Sequence, residues 1–464
     1  MLFSHLARLG QRIPKTNQIS MLVRMILVLL LCGFVGARFE QPAYALELKA
    51  GFASVDISTD EEIPMGGYGT FFLKEPRMSI GVHDPLYASA MVIESGEGQI
   101  AALVSVDAVG LSGVQVARIE SILKKRVSPE LHLIVASTHT HHSPDTLGLW
   151  GSLPRSGRNS AYMKQLEAKV SDAVVTAFES RVAARLFRKK GRHENSTSAS
   201  NVMADIQDEF VTLLFRASDG GELLGTLTQW AAHPTVLGME NNALSADFVG
   251  SFREVLRRQV PVPHLYFNGA IGKVYPIIPD DNDPALVDDL FGEGFQDPDV
   301  RDQYRKVTTV GVRLAQSVLE TPEREVTHGD SKAFSMCHSQ IQFPVDNLLF
   351  KIASQLNVVE TRIRLSRLRS RISSLSVADM VFISVPGEIF PRLLNKIPRD
   401  FFGGKTPVFL GMGQDWLGYF VEPSDYDNDE LKYWTGLSVH KNASQVLLQS
   451  MAKSIRGQDC STGL

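Results

Sequence analysis

Hydrophobic, β-branched runs alternate with amphipathic helical patterns along most of the chain. Residues 100–106, 131–136 and 379–385 have the unbroken apolar character of buried strands. Two further runs flank an Asp-Gly-Gly turn at 219–221 and predict a β-hairpin. The hairpin strands cover residues 210–215 and 223–230, and helical spacing covers 114–127, 162–182, 247–259, 301–319 and 443–455. With no repeat and no linker, the alternation predicts a single α/β domain, a mixed α+β layered sandwich.

One segment near the N-terminus is much more apolar than the rest. Residues 25–37 have the length of a signal-peptide core and are short for a bilayer span, and Arg24 precedes them. Residues 43–45 (Ala-Tyr-Ala) fit a small-x-small cleavage pattern, so we predict a leader over 1–45, export, and a functional domain over 46–464. Translation from Met21, a lipoprotein site at Cys32 and an uncleaved membrane anchor remain alternatives.

Composition narrows the classes of function. The 47 Lys and Arg residues nearly balance 51 Asp and Glu residues, a net charge of −4, so charge gives no reason to expect nucleic acid. Hydrophobic residues at 44% and charged residues at 21% exclude wholesale disorder. Beyond Cys32, Cys337 and Cys460 are either one bridge or two free thiols. Without a zinc-finger cysteine pattern, any metal must be held by His, carboxylate or Tyr.

Three of the twelve histidines fall within residues 139–142, directly after the predicted strand 131–136. Loops at the carboxyl ends of strands are where α/β folds build their sites. In an extended segment residues i and i+2 face the same way, so His139 and His141 converge while His142 faces elsewhere. Two such imidazoles suit a divalent metal, or one ligand beside a general base. The alternative is a loop whose histidines only hydrogen-bond to backbone.

Other candidates follow predicted strands singly. His233 precedes a proline, Glu388 follows the strand at 379–385, and Tyr419 follows an Asp-Trp-Leu-Gly segment. Each also has a plain structural interpretation as a buried histidine, a solvated turn glutamate or a packed aromatic. Asn268 opens a glycine-containing turn at 268–272 after a short strand at 264–267, without the order of a phosphate loop. The acidic residues 280–299 lack calcium-loop spacing and predict a solvated loop over the site.

Taken in order, these segments resemble the neutral/alkaline (non-lysosomal) ceramidase family. The most specific is residues 138–141 (THTH), followed by 233–235 (HPT), 386–388 (PGE) and 418–419 (GY). Residues 50–57 (AGFASVDI), 64–69 and 81–90 resemble the beginning of the family domain. The resemblance spans about residues 48–436 and therefore covers nearly the whole predicted domain.

The resemblance implies one zinc ion, held by His139, His233, Glu388 and Tyr419, nitrogen and oxygen ligands that zinc accepts. In the family, zinc activates a water that attacks an amide carbonyl. The residues that resemble the family's proton-moving histidine, its oxyanion tyrosine and an earlier tyrosine are His141, Tyr433 and Tyr426. The family site also contains an arginine, and neither Arg155 nor Arg158 can be aligned with it.

Two departures from the family pattern stand out. Where the family has G-D-V-S-P, residues 272–276 are GKVYP, so Lys273 replaces an aspartate and Tyr275 replaces a serine that holds the ceramide head. The bulkier phenol and the reversed charge predict a different head pocket, and Lys273 could pair with an anionic substrate group. The second departure is length, because a helix ending near residue 455 leaves no room for the family's C-terminal β-sandwich domain.

The sequence thus predicts an exported zinc-dependent amidohydrolase for ceramide, a related N-acyl lipid or another small-molecule amide. Asn268, Lys273, Tyr275 and Tyr426 are the predicted substrate-binding residues. One alternative is a zinc hydrolase for an ester or lactone, and another is a non-catalytic metal-containing binding protein of the same fold. No nucleic acid partner is expected, while contact with a membrane surface and the oligomeric state stay open.

Overall fold

The computed structural model describes residues 44–45, 48–69, 75–152, 154–193, 197–199, 208–278, 298–328, 334–361, 363–458 and 460. From Ala45 onward the chain forms one compact unit. The predicted leader, apart from its last two residues, and residues 280–297 of the acidic stretch lie outside the described residues. Their interpretation as a leader and as a solvated loop therefore stays a prediction.

The elements are numbered in chain order from Leu48. The strands are β1 (Leu48–Asp56), β2 (Tyr87–Ser95), β3 (Ile100–Val106), β4 (His132–Ser137), β5 (Val182–Arg192), β6 (Thr197–Ala199), β7 (Glu209–Ala217), β8 (Leu223–Trp230), β9 (His264–Asn268), β10 (Val274–Pro276), β11 (Arg324–Glu325), β12 (Thr327–His328), β13 (Phe334–Pro344), β14 (Ile363–Arg364), β15 (Arg367–Val377), β16 (Met380–Ser384), β17 (Glu388–Ile389), β18 (Thr406–Leu410) and β19 (Tyr419–Phe420). The helices are α1 (Gly113–Arg126), α2 (Ser160–Glu179), α3 (Phe248–Gln259), α4 (Pro298–Glu320), α5 (Leu348–Gln355), α6 (Pro391–Asn395), α7 (Lys432–Gly436) and α8 (Ala443–Ile455).

A nine-stranded mixed sheet forms the centre of the fold. Its order is β9-β8-β7-β5-β1-β2-β3-β4, with β11 added beside β5. The edge pairs β8–β9 and β3–β4 are parallel, and the pairs between them are antiparallel. The two edges contact each other, because Ser105 of β3 donates to the Tyr266 carbonyl of β9 and Asn268 donates to the Thr138 carbonyl. The sheet therefore curls so that its two parallel edge pairs lie beside each other.

A second sheet of five strands has the order β13-β15-β16-β18, with β14 beside β15. It packs on one face of the large sheet through a shared apolar core, in which Leu375, Phe382 and Val408 meet Leu103 and Leu213. Helices α1 and α2 cover the opposite face of the large sheet over β1–β4, and α3 and α4 cover β7–β9. Helices α5 and α8 pack against the outer face of the second sheet. The fold is a helix–sheet–sheet–helix sandwich, and the predicted mixed layered class is confirmed.

Most predicted elements are present with small boundary shifts, but the second helix was predicted too long. It ends at Glu179, and Val182, its predicted last residue, begins strand β5. The structure also contains strands that hydrophobicity did not predict. Strand β5 alternates buried Ala184 and Leu186 with exposed basic residues. Strand β15 is rich in serines that are nevertheless buried.

Two further predictions concern the cysteines and the membrane. Cys337 of β13 and Cys460 form a disulfide with Cα atoms 5.0 Å apart, which resolves the two sequence alternatives in favour of a bridge. Over the residues that are described, no helix has the length and apolar character needed to cross a bilayer.

Candidate metal centre

Three histidines lie together on loops that leave the large sheet. His139 and His141 follow β4, and His233 follows β8. Their ligand nitrogens all lie within 4.8 Å of one another, so this group could hold a metal ion. The Nε2 atoms of His139 and His141 are 3.3 Å apart. The backbone is not extended at His139, where φ is 69°, a left-handed conformation that costs about 1–3 kcal/mol for a residue other than glycine.

His139 and His233 are oriented in the same way by the backbone. The Nδ1 atom of His139 is bonded to the Val109 carbonyl, and that of His233 to the Val274 carbonyl at 2.9 Å. A carbonyl only accepts hydrogen bonds, so each Nδ1 carries the proton and each Nε2 faces the site. This is the arrangement in which protein imidazoles bind metals, with a backbone acceptor fixing the ring.

The carboxylate of Glu388 is buried between these two rings. Its Oε2 lies 3.0 Å from His233 Nε2, and its Oε1 lies 3.3 Å from His139 Nε2 and 3.1 Å from the Trp416 indole nitrogen. Burial raises the pKa of Glu388, but the imidazoles of His139 and His233 outweigh this and hold the pKa well below its usual range. Glu388 is therefore ionised at neutral pH.

This donor set matches a cation. With protons on Nδ1, the two Nε2 atoms present lone pairs to carboxylate oxygens, and lone pairs repel one another unless a positive charge lies between them. Either protons on both Nε2 atoms or a shared cation removes the repulsion. Burial lowers the pKa of His139, the Glu388 charge raises it, and the net shift is upward. This upward shift has the same cause, because a positive charge between the ring and the carboxylate is favourable.

Tyr419 reaches the site from the neighbouring strand. Strands β17 and β19 pair in parallel with Glu388 opposite Tyr419, and the buried phenol contacts the Glu388 carboxylate. Burial, and then the charge of Glu388, raises the pKa of Tyr419 well above its usual range. Each strand is preceded by a glycine with positive φ, Gly387 at 149° and Gly418 at 73°. A Cβ on Gly387 would clash with the Gly418 carbonyl, and one on Gly418 with the Leu437 carbonyl.

His141 has a different environment. Its Nε2 faces His139, whereas its buried Nδ1 has no hydrogen-bond partner among the described residues. Burial, followed by the imidazoles of His139 and His233, lowers the pKa of His141 well below its usual range. Tyr68 packs edge-on against the His141 ring, with ring centroids 4.8 Å apart. A Cβ at Gly67 would clash with the His141 side chain. His142 instead faces the Gly238 carbonyl at 2.9 Å, away from the cluster as predicted.

Aromatic rings form the rim of the site. Tyr275 stacks on His233 with ring centroids 5.0 Å apart, and it is 37% exposed. Burial raises the pKa of Tyr275 to about 12. Tyr433 lies 6.5 Å from Tyr419, ring to ring, and packs edge-on against Trp434. The Lys273 ammonium lies over the Trp434 ring, 4.2 Å from its centroid.

Comparison with known proteins finds matches in structure alone. No protein-family model and no curated protein matches the sequence. The neutral ceramidase from Pseudomonas aeruginosa superposes with a TM-score of 0.71 at 16% identity, over 91% of this chain and 76% of that chain. A ceramidase complexed with C2 superposes with a TM-score of 0.67 at 15% identity, over 90% of this chain and 77% of that chain. The chain has the neutral ceramidase fold. The predicted resemblance is thereby confirmed at the level of the fold.

Within this neutral ceramidase fold, two predicted substrate-binding residues lie away from the rim. Asn268 is fully buried, its Oδ1 accepts from the Ala232 amide at 3.3 Å, and its Nδ2 donates to Thr138. It thereby joins the two loops that carry the histidines. Tyr426 is partly buried and packs against the apolar core beneath the site. Burial raises its pKa.

Sequence reasoning missed three residues of the site. Arg77 donates to the His141 carbonyl at 2.5 Å and lies over the Tyr68 ring, while Arg158 pairs with Glu360 instead. Burial lowers the pKa of Arg77 to about 10. Trp416 donates to Glu388, but the sequence analysis gave it no role beyond its place in the segment before Tyr419. Trp416 lies three residues before the predicted ligand Tyr419, and Tyr68 lies in the segment 64–69 that resembles the family, so both had a signal in the sequence. Arg77 had none.

Proposed function

We propose that this protein is a zinc-dependent amidohydrolase that cleaves an N-acyl amide, of the ceramide or N-acyl lipid class. The observation that carries the proposal is the buried Glu388 carboxylate between the Nε2 atoms of two imidazoles that are fixed through Nδ1. The neutral ceramidase fold supports the same class of reaction, because the structures it matches are ceramidases. Export, with residues 1–45 as the leader and 46–464 as the functional domain, belongs to the proposal.

In this proposal His139, His233, Glu388 and Tyr419 hold one zinc ion. Zinc, when bound, supplies Lewis-acid chemistry, since it lowers the pKa of water and polarises a carbonyl. The protein contributes ligands that are buried and oriented before substrate arrives, so little reorganisation is needed. Glu388 supplies the anionic ligand, because positive charge beside it holds its pKa down.

His141 is the residue we assign to proton movement. Its Nε2 lies beside the ligand set, and burial together with its neighbours keeps the ring neutral at pH 7. A neutral imidazole can accept a proton and return it to a leaving amine. Tyr433 stands on the rim near Tyr419, and its hydroxyl is the candidate donor to an oxyanion. Tyr275 and Lys273 are assigned to substrate binding. Tyr426 packs against the apolar core and is not assigned to bind substrate, and Asn268 acts by holding the two ligand loops.

Three other outcomes compete with this proposal. The nitrogens of His139, His141 and His233 approach closely enough for all three rings to bind the ion, which would leave no free proton carrier. The exposed Tyr275 and the Lys273–Trp434 contact change the rim, so the cleaved bond could be an ester or lactone. A binding protein without turnover would keep the metal and hydrolyse nothing.

The experiment is metal analysis of the purified protein, followed by hydrolysis assays on matched acyl substrates. We expect about one zinc per chain, loss of activity with a chelator and recovery with added zinc. The assay compares a fluorogenic long-chain amide with the ester and lactone of the same acyl group. Faster cleavage of the ester selects the alternative bond, while zinc without any turnover selects the binding protein. Absence of zinc, with no gain of activity when it is added, refutes the proposal.

A further inference from the structure

The rim of the site carries a lysine that forms no ion pair with an acid of the described residues. Lys273 is only 5% exposed, and its ammonium contacts the Trp434 ring. Within the described part of the chain, Glu430 is the acid that acts on Lys273, and it does so through space without a hydrogen bond. A lysine with so little exposed surface is normally paired with an acid, and among the described residues no acid bonds to its ammonium.

Backbone contacts place Lys273 at the site. The preceding residue, Gly272, donates to the Ile389 carbonyl at 2.9 Å, next to Glu388. The following residue, Val274, accepts from both the amide and the ring of His233. The lysine thus lies between two proposed ligands, and its side chain extends to Trp434, whose neighbour Tyr433 faces Tyr419.

The backbone at Lys273 is also strained. Its φ of 62° is a left-handed conformation that lysine adopts rarely. Strained residues persist where the surrounding structure fixes them, and they are concentrated at ligand sites. An ammonium held ready for an anion that arrives with the substrate would account for this conformation and for the absence of a bonded acid among the described residues.

We infer that the substrate is an acyl amide that carries a carboxylate, such as an N-acyl amino acid, and that Lys273 recognises this carboxylate. The inference rests on the proposed hydrolase function and narrows its substrate class. Trp434 holds the ammonium by a cation–π contact until a carboxylate replaces water around it. Burial lowers the pKa of Lys273, so pairing with an anion gains more than it would at an exposed lysine.

The test uses two substrates that differ by one charge, N-dodecanoylglycine and N-dodecanoylglycinamide. We expect kcat/KM to be at least about tenfold higher for the carboxylate, the order expected for one charge-assisted hydrogen bond. Lys273→Gln should bring the ratio of the two kcat/KM values close to one, mainly by raising KM for the carboxylate. Lys273→Arg should keep most of the preference. The ratio is insensitive to a general loss of folded enzyme.

Lys432→Gln is the matched control. It removes a lysine that is also near Trp434 in sequence but is exposed and paired with Asp429 at 2.8 Å. This variant should keep the wild-type ratio. A third substrate, the N-methylamide of dodecanedioic acid, carries its carboxylate on the acyl side, and its rate shows on which side of the bond the anion lies. Preference for either carboxylate supports the inference.

A binding measurement distinguishes failure of this inference from failure of the proposed function. Calorimetry with N-dodecanoylglycine and its amide reports on Lys273 even if neither compound is hydrolysed. Tighter binding of the carboxylate by the wild type, lost in Lys273→Gln, upholds the inference when turnover is absent. The inference is overturned if the glycine compound and its amide bind equally or are hydrolysed equally, and the dodecanedioic acid N-methylamide is cleaved no faster than they are. An active enzyme with this result leaves the hydrolase proposal standing.

Discussion

The two sides of the candidate metal centre are built by different means. On the histidine side, formed by the loops after β4 and β8, side-chain hydrogen bonds to backbone carbonyls orient His139 and His233. On the acid side, formed by β17 and β19, two short parallel strands approach so closely that only glycine fits before each functional residue. The histidine side therefore depends on hydrogen bonds made by its functional residues. The acid side depends on glycines, which have no side chain to keep the two strands apart.

Removing one proposed ligand from either side tests whether the metal centre requires both sides. These substitutions should have the largest effect on zinc content and turnover. We expect His233→Ala and Glu388→Ala each to reduce zinc from about one ion per chain to below roughly 0.1, because a four-ligand site loses its closed geometry. Turnover should fall to background. Glu360→Ala, which removes a carboxylate paired with Arg118 and Arg158, is the control and should keep its zinc. Zinc retained in Glu388→Ala would mean that the acid side is not part of the centre.

His141→Ala tests the composition of the histidine side. If His141 carries protons, zinc content should stay near one ion per chain while kcat falls by about 10²–10⁴-fold. If the three histidines bind the ion together, zinc should instead fall as it does in His233→Ala. Metal analysis and steady-state kinetics on the same preparation distinguish the two results.

Gly418→Ala tests the acid side through its backbone. The new Cβ must meet the Leu437 carbonyl in addition to a left-handed φ of 73°. Gly403→Ala is a matched control, since φ there is 60° and no atom lies within 4 Å of the added Cβ. The control should lower the free energy of unfolding by about 1–2 kcal/mol. Gly418→Ala should lower it further and reduce activity, and equal effects of the two changes would contradict the close-approach explanation.

The disulfide is expected to affect stability more than chemistry. Replacing Cys337 and Cys460 together by serine releases the link across 123 residues and should lower the free energy of unfolding by about 2–4 kcal/mol. Because the bridge joins β13 to the chain end, zinc content and kcat should change little. Denaturant unfolding with parallel metal analysis checks this, and a large loss of zinc would show that the bridge supports the acid side.

The sequence predicts the proposed ligands better than it predicts the residues that support them. His139 and His233 follow strongly apolar strands, so their position at strand ends was predictable from hydrophobicity. Strand β15 was not predicted because its buried serines bond to side chains from distant segments, which no local pattern reveals. Ser370, for example, donates to Asp415 at 2.8 Å. Arg77 and Trp416 act on the site through contacts between distant segments, and the left-handed φ of Lys273 has no local sequence signal.

Asn268 links the two loops of the histidine side. One amide group spans the seam of the large sheet and bonds to both ligand-bearing loops, so it sets the spacing between His139 and His233. If the centre binds an ion as proposed, we expect Glu388 and Tyr419, and not the two rings, to adjust to an ion of a different size. Any preference for cations of one radius would then come from this contact between the edges of the large sheet, whichever reaction the site catalyses.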